Sequence, residues 1–111
     1  MPSAHPTPSL LIQTTYRIHP AVVDASKDIS IRMAMDKKQR EGNTFLLAAP
    51  DSSHPTTVHL TEGWKSQQAI EEHLANDSFQ RVLAEAQQLR IESPSAIVYE
   101  LGLRYALSSP A

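Results

Sequence analysis

The stretch TVHLTEGWKSQQAIEEHLANDSFQ, residues 57–80, decides the fold of this chain of 111 residues. It opens inside a strand predicted over residues 56–64, which ends at Trp64. Ser66 stands where the N-cap of a helix is expected, although Ala69 at the third helical position leaves no capping box. The polar residues at 76–78 can end that helix and cap a second one. The stretch therefore predicts one strand followed by two consecutive helices.

On the N-terminal side of this stretch, a second strand is predicted to pair with the first. TFLLAAP, residues 44–50, is short and apolar, and the turn formers DSSHP separate it from the next strand. These two strands are predicted to form a hairpin with a loose tip. Residues 21–41 are ambiguous, because a helical stripe from Val22 through Ala25 and Ile29 competes with the strand-like alternation of ISIRMAM. Their length without Gly or Pro favours a helix, which Gly42 stops.

Both ends of the domain are predicted to be strands. SLLIQTTYRIHP, residues 9–20, carries its apolar side chains mainly on one parity, which is typical of a half-buried strand, and Pro20 ends it. A helix with one apolar face is predicted from Phe79 to Leu89. Residues 92–95, ESPS, are predicted to end that helix, and AIVYELGL, residues 96–103, to form the last strand. That strand is expected to bury Ile97, Tyr99, Leu101 and Leu103.

The order of the predicted elements is strand, helix, strand, strand, helix, strand. This β-α-β-β-α-β order is the split βαβ, ferredoxin-like plan, an α+β fold with an antiparallel sheet and both helices on one face. The other face is left bare, and apolar side chains occur on both parities of the strands, so we expect a homodimer through the sheet faces. The domain is predicted over residues 9–105, between a disordered leader at 1–8 and a flexible tail at 106–111.

Composition excludes several classes of function. The formal net charge is −2 and the basic residues are scattered, so nucleic acid is not an expected partner. The chain has no cysteine, which removes disulfides, thiolate nucleophiles and cysteine metal sites. No apolar run is long enough to span a bilayer, and MPSAHPTPS lacks the pattern of a signal peptide, so a cytoplasmic location is expected. No two histidines have the spacing of a helical metal site, and no metal is expected.

REGNTF at residues 40–45, the stretch 57–80 and the closing strand together resemble the antibiotic biosynthesis monooxygenase family, in its quinol-monooxygenase-like group. The resemblance covers roughly residues 9–104 and implies the dimeric α/β barrel fold. In that family a strand ends in Glu-x-Trp, a Ser or Asp caps the next helix, a His-Leu pair follows, and a Phe opens the second helix. The corresponding residues here are Glu62, Trp64, Ser66, His73, Leu74 and Phe79.

Departures from the family's pattern restrict which of the family's reactions the resemblance implies for this chain. The haem-degrading branch has an Asn on its first strand, a Trp in the helix and a His further on. The matching positions here are Gln13, His73 and Leu83, so no axial haem ligand is in place. The quinone-forming branch shares Trp64 but carries an Asn, a Tyr and an Arg elsewhere. The residues at those places here are Leu60, Ile70 and Ala84. The resemblance therefore implies neither haem chemistry nor a particular substrate.

His73 is the candidate catalytic residue. A cofactor-free oxygenase has to deprotonate a phenol or enol so that the anion can give an electron to dioxygen, and a neutral imidazole is a suitable base near pH 7. The resemblance implies that this helix faces a cavity in which a planar aromatic substrate would lie. The alternative is a partly buried, structural His73 that hydrogen-bonds a strand carbonyl or Glu62.

Four aromatic residues are candidate substrate contacts: Trp64, Tyr16, Tyr99 and Phe79. Core packing is the alternative for each of them, since such side chains bury large apolar areas. We expect a small enzyme that acts with dioxygen on a small aromatic or quinol-type substrate, as a monooxygenase that uses no metal, flavin or haem. Two alternatives stay open, a cofactor-free isomerase or cyclase that uses the same histidine, and a non-catalytic ligand-binding dimer.

Overall fold

The computed structural model describes residues 8–89, 91–103 and 107, so the predicted leader and tail lie almost entirely outside the described residues. Strand β1 spans Leu10–Arg17, and a 3-10 turn at Pro20–Val22 leads into helix α1, Val23–Lys38. Strands β2, Asn43–Pro50, and β3, Thr57–Trp64, form the hairpin. Helices α2, Gln67–Leu74, and α3, Asp77–Gln88, precede strand β4, Glu92–Glu100. The predicted α+β, ferredoxin-like fold is confirmed.

The strands form one antiparallel sheet in the order β2-β3-β1-β4. Leu10 of β1 lies between Trp64 of β3 and Glu100 of β4, so residues of even number in these three strands share one face. The helices pack on this face, where Leu10, Trp64 and Ile70 of α2 form a buried apolar cluster. Residues of odd number point to the opposite face, which is bare in the described part of the chain.

Local side-chain signals set where α2 and α3 begin. The Ser66 hydroxyl accepts a hydrogen bond from the Ala69 N–H at 3.1 Å, and the Asn76 side chain accepts from the Ser78 N–H at 2.9 Å. The predicted break between the two helices is thus confirmed. Gly42 has a φ of +94°, and a Cβ built there would lie 2.5 Å from the Cβ of Ala69. Glycine is therefore required after α1, because the chain adopts a positive φ there and lies in close contact with Ala69 at the start of α2.

The start of β4 differs from the prediction. Residues 92–95 were expected to form a turn, whereas the strand begins at Glu92 and already pairs there with Arg17 of β1. The register shifts between Thr15 and Arg17, because β4 carries one residue more than β1 at this point. Pro94 falls in this bulge of an edge strand, where a residue without an N–H is tolerated.

The expected burial of the last strand is wrong for the single chain. Ile97 is 47% exposed and Tyr99 is 44% exposed, because they lie opposite Gln13 and Leu11 of β1 on the bare face. Leu101 and Leu103, also predicted to be buried, lie beyond the end of the strand and are exposed. Alternation identified the apolar parity of β4 correctly, but that parity faces away from the helices.

Candidate functional site

Helix α1 turns two charged side chains into the interior. Its buried residues are Ser26, Ile29, Asp36 and Lys37, whereas Ala25 of the predicted apolar stripe is exposed. Lys37 lies two helical turns beyond Ile29 and so shares its inward face. The interior below α1 is therefore partly polar, and charge has to be balanced there by groups from other elements.

Lys37, Glu62 and Trp64 form a buried chain of hydrogen bonds. The Lys37 Nζ donates to Glu62 Oε2 at 3.2 Å, and the Trp64 Nε1 donates to Glu62 Oε1 at 3.2 Å. The Lys37 and Glu62 side chains are only 5% and 3% exposed. Glu62 and Trp64 are both inward-facing residues of β3, so the strand's own alternation places the carboxylate next to the indole.

His73 lies beside these hydrogen-bonded residues, inside an aromatic cluster. Its ring stacks on Trp64 with the centroids 5.0 Å apart, and the Phe79 ring lies 4.2 Å away on centroids. The Lys37 Nζ stands 5.8 Å from the centre of the Phe79 ring. The sequence motif that carries Trp64, His73 and Phe79 is thus assembled into one contact group, with the cation of Lys37 beside it.

The imidazole of His73 is buried and neutral. Burial, together with the positive charge of Lys37, lowers its pKa to about 4. Neither ring nitrogen has a hydrogen-bond partner among the described residues. The alternative of a His73 bonded to Glu62 is therefore not what the structure shows, since Glu62 is taken by Lys37 and Trp64.

A second polar network joins the end of α1 to the junction of α2 and α3. Arg40 donates to Asp36 Oδ1 at 2.5 Å and to Asn76 Oδ1 at 2.8 Å, and the Ser78 hydroxyl donates to the same Asp36 oxygen at 2.9 Å. Asn76 is also the N-cap of α3. One residue therefore starts α3 and, through Arg40, bonds the junction of α2 and α3 to the end of α1. This network fixes the helix junction that presents His73 and Phe79 to the interior.

A cavity of about 310 Å³ lies between the inner face of the sheet and helices α1 and α3. Its walls are mostly aliphatic, and its polar lining residues are Tyr16, Ser30, Lys37 and Gln87. Ser30 and Gln87 are exposed and so lie toward solvent, whereas Lys37 is buried and borders the inner part. Lys37 therefore touches both the cavity and the aromatic cluster around His73.

The predicted site residues divide into three locations. Tyr16 lines the cavity, whereas Trp64, His73 and Phe79 form the buried cluster and are not among the described lining residues. Tyr99 lies on the bare face, on the other side of the sheet. Sequence reasoning missed Lys37, and it considered Glu62 only as part of the strand motif and as a partner of a structural His73. The signal that was available is the spacing of Lys37 from Ile29, which puts a cation on a buried helix face.

A cluster at the hairpin tip contains His54 and His59. His59 Nε2 lies 2.7 Å from Asp51 Oδ1, and His54 Nδ1 lies 3.2 Å from Asp51 Oδ2. The contact with His59 and the N–H of Ser53 hold the pKa of Asp51 well below its usual range.

Within residues 8–89, 91–103 and 107, no group of three or more His, Asp and Glu side chains could hold a metal ion. No helix in the same ranges is long and apolar enough to cross a membrane.

Comparison with known proteins identifies the class of fold. No protein-family model matches the sequence, and no curated protein matches it with significant similarity. A proposed antibiotic biosynthesis monooxygenase from Deinococcus radiodurans matches the structure with a TM-score of 0.82 at 19% identity, over 90% of this chain and 99% of that chain. A second proposed member, from Chloroflexus aurantiacus, matches with a TM-score of 0.71 at 20% identity, over 89% and 98% of the two chains.

A variant of SnoaB, a cofactor-independent oxygenase from Streptomyces nogalater, also shares the architecture. It matches with a TM-score of 0.70 at 14% identity, over 90% of this chain and 97% of that chain. The chain therefore has the fold of the antibiotic biosynthesis monooxygenases. The resemblance that residues 57–80 predict is confirmed at this level, and the reaction has to be argued from the site.

Proposed function

We propose that this protein is a cofactor-independent monooxygenase that acts on a small aromatic or quinol-type substrate. The observation that carries the proposal is the buried imidazole of His73, whose two ring nitrogens have no partner among the described residues. A histidine that only anchors a helix is expected to satisfy a ring nitrogen, because an unsatisfied buried polar atom costs roughly 1–3 kcal/mol. An imidazole held without partners is available to accept a proton from a substrate.

The cavity supports a substrate with a flat apolar body. Its volume of about 310 Å³ suits a one-ring or two-ring aromatic molecule, and aliphatic side chains from the sheet and both long helices form its walls. Tyr16 is the predicted substrate contact that lines this cavity. Trp64 and Phe79 both pack against the His73 ring, and we propose that they orient the imidazole. Tyr99 has no proposed role in this cavity, since it lies across the sheet.

The proposed reaction begins when the substrate's hydroxyl or enol gives its proton to a ring nitrogen of His73. The anion then gives an electron to dioxygen, and recombination forms a carbon–oxygen bond. At a methylene carbon the balance is CH₂ plus O₂ to C=O plus H₂O, so the substrate supplies both reducing equivalents. His73 is not among the described residues that line the cavity, so the proposal requires the side chains between the cavity and the imidazole to rearrange before the proton can transfer.

The bare face of the sheet supports the predicted homodimer. Phe45, Gly63, Leu11 and Tyr99 lie side by side in a row across all four strands on this face. The next row includes Leu47, which is 65% exposed, and Ile97. Thr61 and Gln13 lie between Leu47 and Ile97 in this second row. Exposed apolar side chains grouped on one face indicate an association site. We propose that two copies cover it by packing sheet against sheet.

Oxygen uptake by the metal-stripped protein with a panel of hydroquinones and anthrones tests the reaction. His73→Phe keeps an aromatic ring in the cluster but removes the proton acceptor, and it should abolish uptake. His59→Phe is the matched control, because His59 is exposed at the hairpin tip and should leave uptake unchanged. Uptake that survives His73→Phe would contradict the assigned base. Turnover that needs His73 but no oxygen would favour an isomerase or cyclase instead.

A further inference from the structure

Lys37 is the one charged side chain among the described residues that line the cavity. It is 4% exposed, so its ammonium group lies away from bulk water. Three other lining residues have polar side chains, and two of them, Ser30 and Gln87, lie toward solvent. The described lining of the cavity is therefore mostly aliphatic, with one buried cationic residue.

The ammonium of Lys37 is not saturated by the protein. A lysine has three N–H donors, and one of them goes to Glu62 Oε2. No other acceptor for Lys37 occurs within the ranges that the structure describes. Glu62 also accepts the Trp64 N–H and is not among the described lining residues, so Lys37 is the member of the ion pair that lies at the cavity wall. Unmet donors in a buried, apolar setting favour a ligand that supplies a strong acceptor.

We propose that Lys37 is the anion-binding residue of this cavity and that it stabilises the anion of a bound phenol or enol. The inference rests on the proposed function for the reaction that follows, but the binding step can be measured alone. An ammonium next to the ligand oxygen stabilises the ionised form and so raises the acidity of the bound hydroxyl. This supplies what His73 lacks, because an imidazole with a pKa of about 4 is a weak base for an ordinary phenol.

The charges that face Lys37 from the surrounding elements are compatible with an added anion. Glu62 of β3 is its ion-pair partner, and His73 of α2 is neutral. Asp36, the neighbouring residue of α1, is paired with Arg40. No further carboxylate among the described residues lines the cavity to repel a phenolate. Lys37 is therefore the charged group at the cavity wall among the described residues.

Two probes of nearly the same shape separate charge from packing. 4-Nitrophenol ionises near neutral pH and absorbs in the visible only as its anion, whereas 4-nitroanisole cannot ionise. Binding of both is measured without oxygen by equilibrium dialysis, and the bound nitrophenol is titrated by its absorbance. The variant is Lys37→Met combined with Glu62→Gln, which removes the cation without leaving a buried carboxylate unpaired. Arg32→Met is the matched control, since it removes a cation from the exposed side of the same helix.

The wild type is expected to bind nitrophenolate roughly tenfold or more tightly than nitroanisole, as a charge-assisted hydrogen bond implies. Bound nitrophenol should then ionise at a lower pH than free nitrophenol. The double variant should lose this preference and keep its affinity for nitroanisole, and Arg32→Met should keep both properties. A preference that survives in the double variant, or a wild type that binds neither probe, would overturn the assignment.

The binding experiment and the oxygen experiment fail independently. A Lys37-dependent preference for nitrophenolate in a protein that consumes no oxygen with any quinol would keep the anion site and reject the oxygenase. Oxygen uptake that depends on His73, with no preference for nitrophenolate, would keep the oxygenase and reject Lys37 as the anion-binding residue. Circular dichroism of each variant shows that the fold is retained before either result is interpreted.

Discussion

Lys37→Met is expected to destabilise the protein strongly, because it leaves the Glu62 carboxylate buried without its cation. The two side chains are 5% and 3% exposed, so water screens them little. Removal of one partner from a buried ion pair typically costs about 3–5 kcal/mol. For a domain of this size each kcal/mol lowers the melting temperature by about 4–8 °C, so a fall of at least about 12 °C is expected.

The second substitution should recover much of this loss. In Lys37→Met/Glu62→Gln no charge remains buried, and the new amide oxygen can still accept the Trp64 N–H, which donates to Glu62 at 3.2 Å in the wild type. We expect the double variant to be more stable than Lys37→Met by about 2 kcal/mol or more, because neutral replacement of a buried pair is often tolerated.

Urea unfolding measures these differences through the fluorescence of Trp64, the single tryptophan of the chain. All variants are compared at one protein concentration, because dissociation of a dimer would contribute to the apparent stability. Arg32→Met, which breaks an exposed ion pair with Glu85, is the control and should leave the midpoint unchanged. If the costs of Lys37→Met and Glu62→Gln simply add in the double variant, the two groups are not coupled and the reasoning is wrong.

Three further changes test other parts of the structure. The pKa of His73 is lowered from 6.5 to about 4, so wild-type stability should be complete above pH 6.5 and fall by about 3 kcal/mol as the pH drops through 4. Urea midpoints of His73→Phe across this range should lack that dependence. Gly42→Ala forces a residue with a Cβ into a φ of +94° and against Ala69, which should cost about 1–3 kcal/mol in thermal melts; an unchanged melt would contradict this contact. Leu47→Glu places a charge on the bare face, and sedimentation velocity should show a monomer, whereas a persistent dimer would require another interface.

The fold was predictable from the sequence wherever local signals agreed with one another. Ser66 and Asn76 cap their helices through side-chain chemistry that needs no tertiary context, so the break between α2 and α3 was visible in residues 57–80. The start of β4 was not visible, because Ser and Pro at 93–95 have the composition of a turn. Only the pairing with β1 shows that this proline occupies a bulge.

The candidate site was predictable only where its residues are close together in the sequence. The sequence motif identified the ring cluster of Trp64, His73 and Phe79, since these residues follow one another on connected elements. The cation of Lys37 was missed because charged residues are normally assigned to the surface of a helix. Its burial depends on Glu62, which comes from a strand distant in sequence. Strand alternation likewise placed Tyr99 on an apolar parity, but it does not tell which face the helices cover.

Both outer strands of the sheet carry a proline, Pro50 at the end of β2 and Pro94 in the bulge of β4. A proline offers no N–H to an incoming strand, so neither margin of the sheet is a good template for continuous pairing with another chain. Growth of ribbons or fibrils by strand addition is therefore disfavoured, even though the chain displays much apolar surface. The homodimer proposed above, which packs sheet against sheet, would not need either of these strand edges.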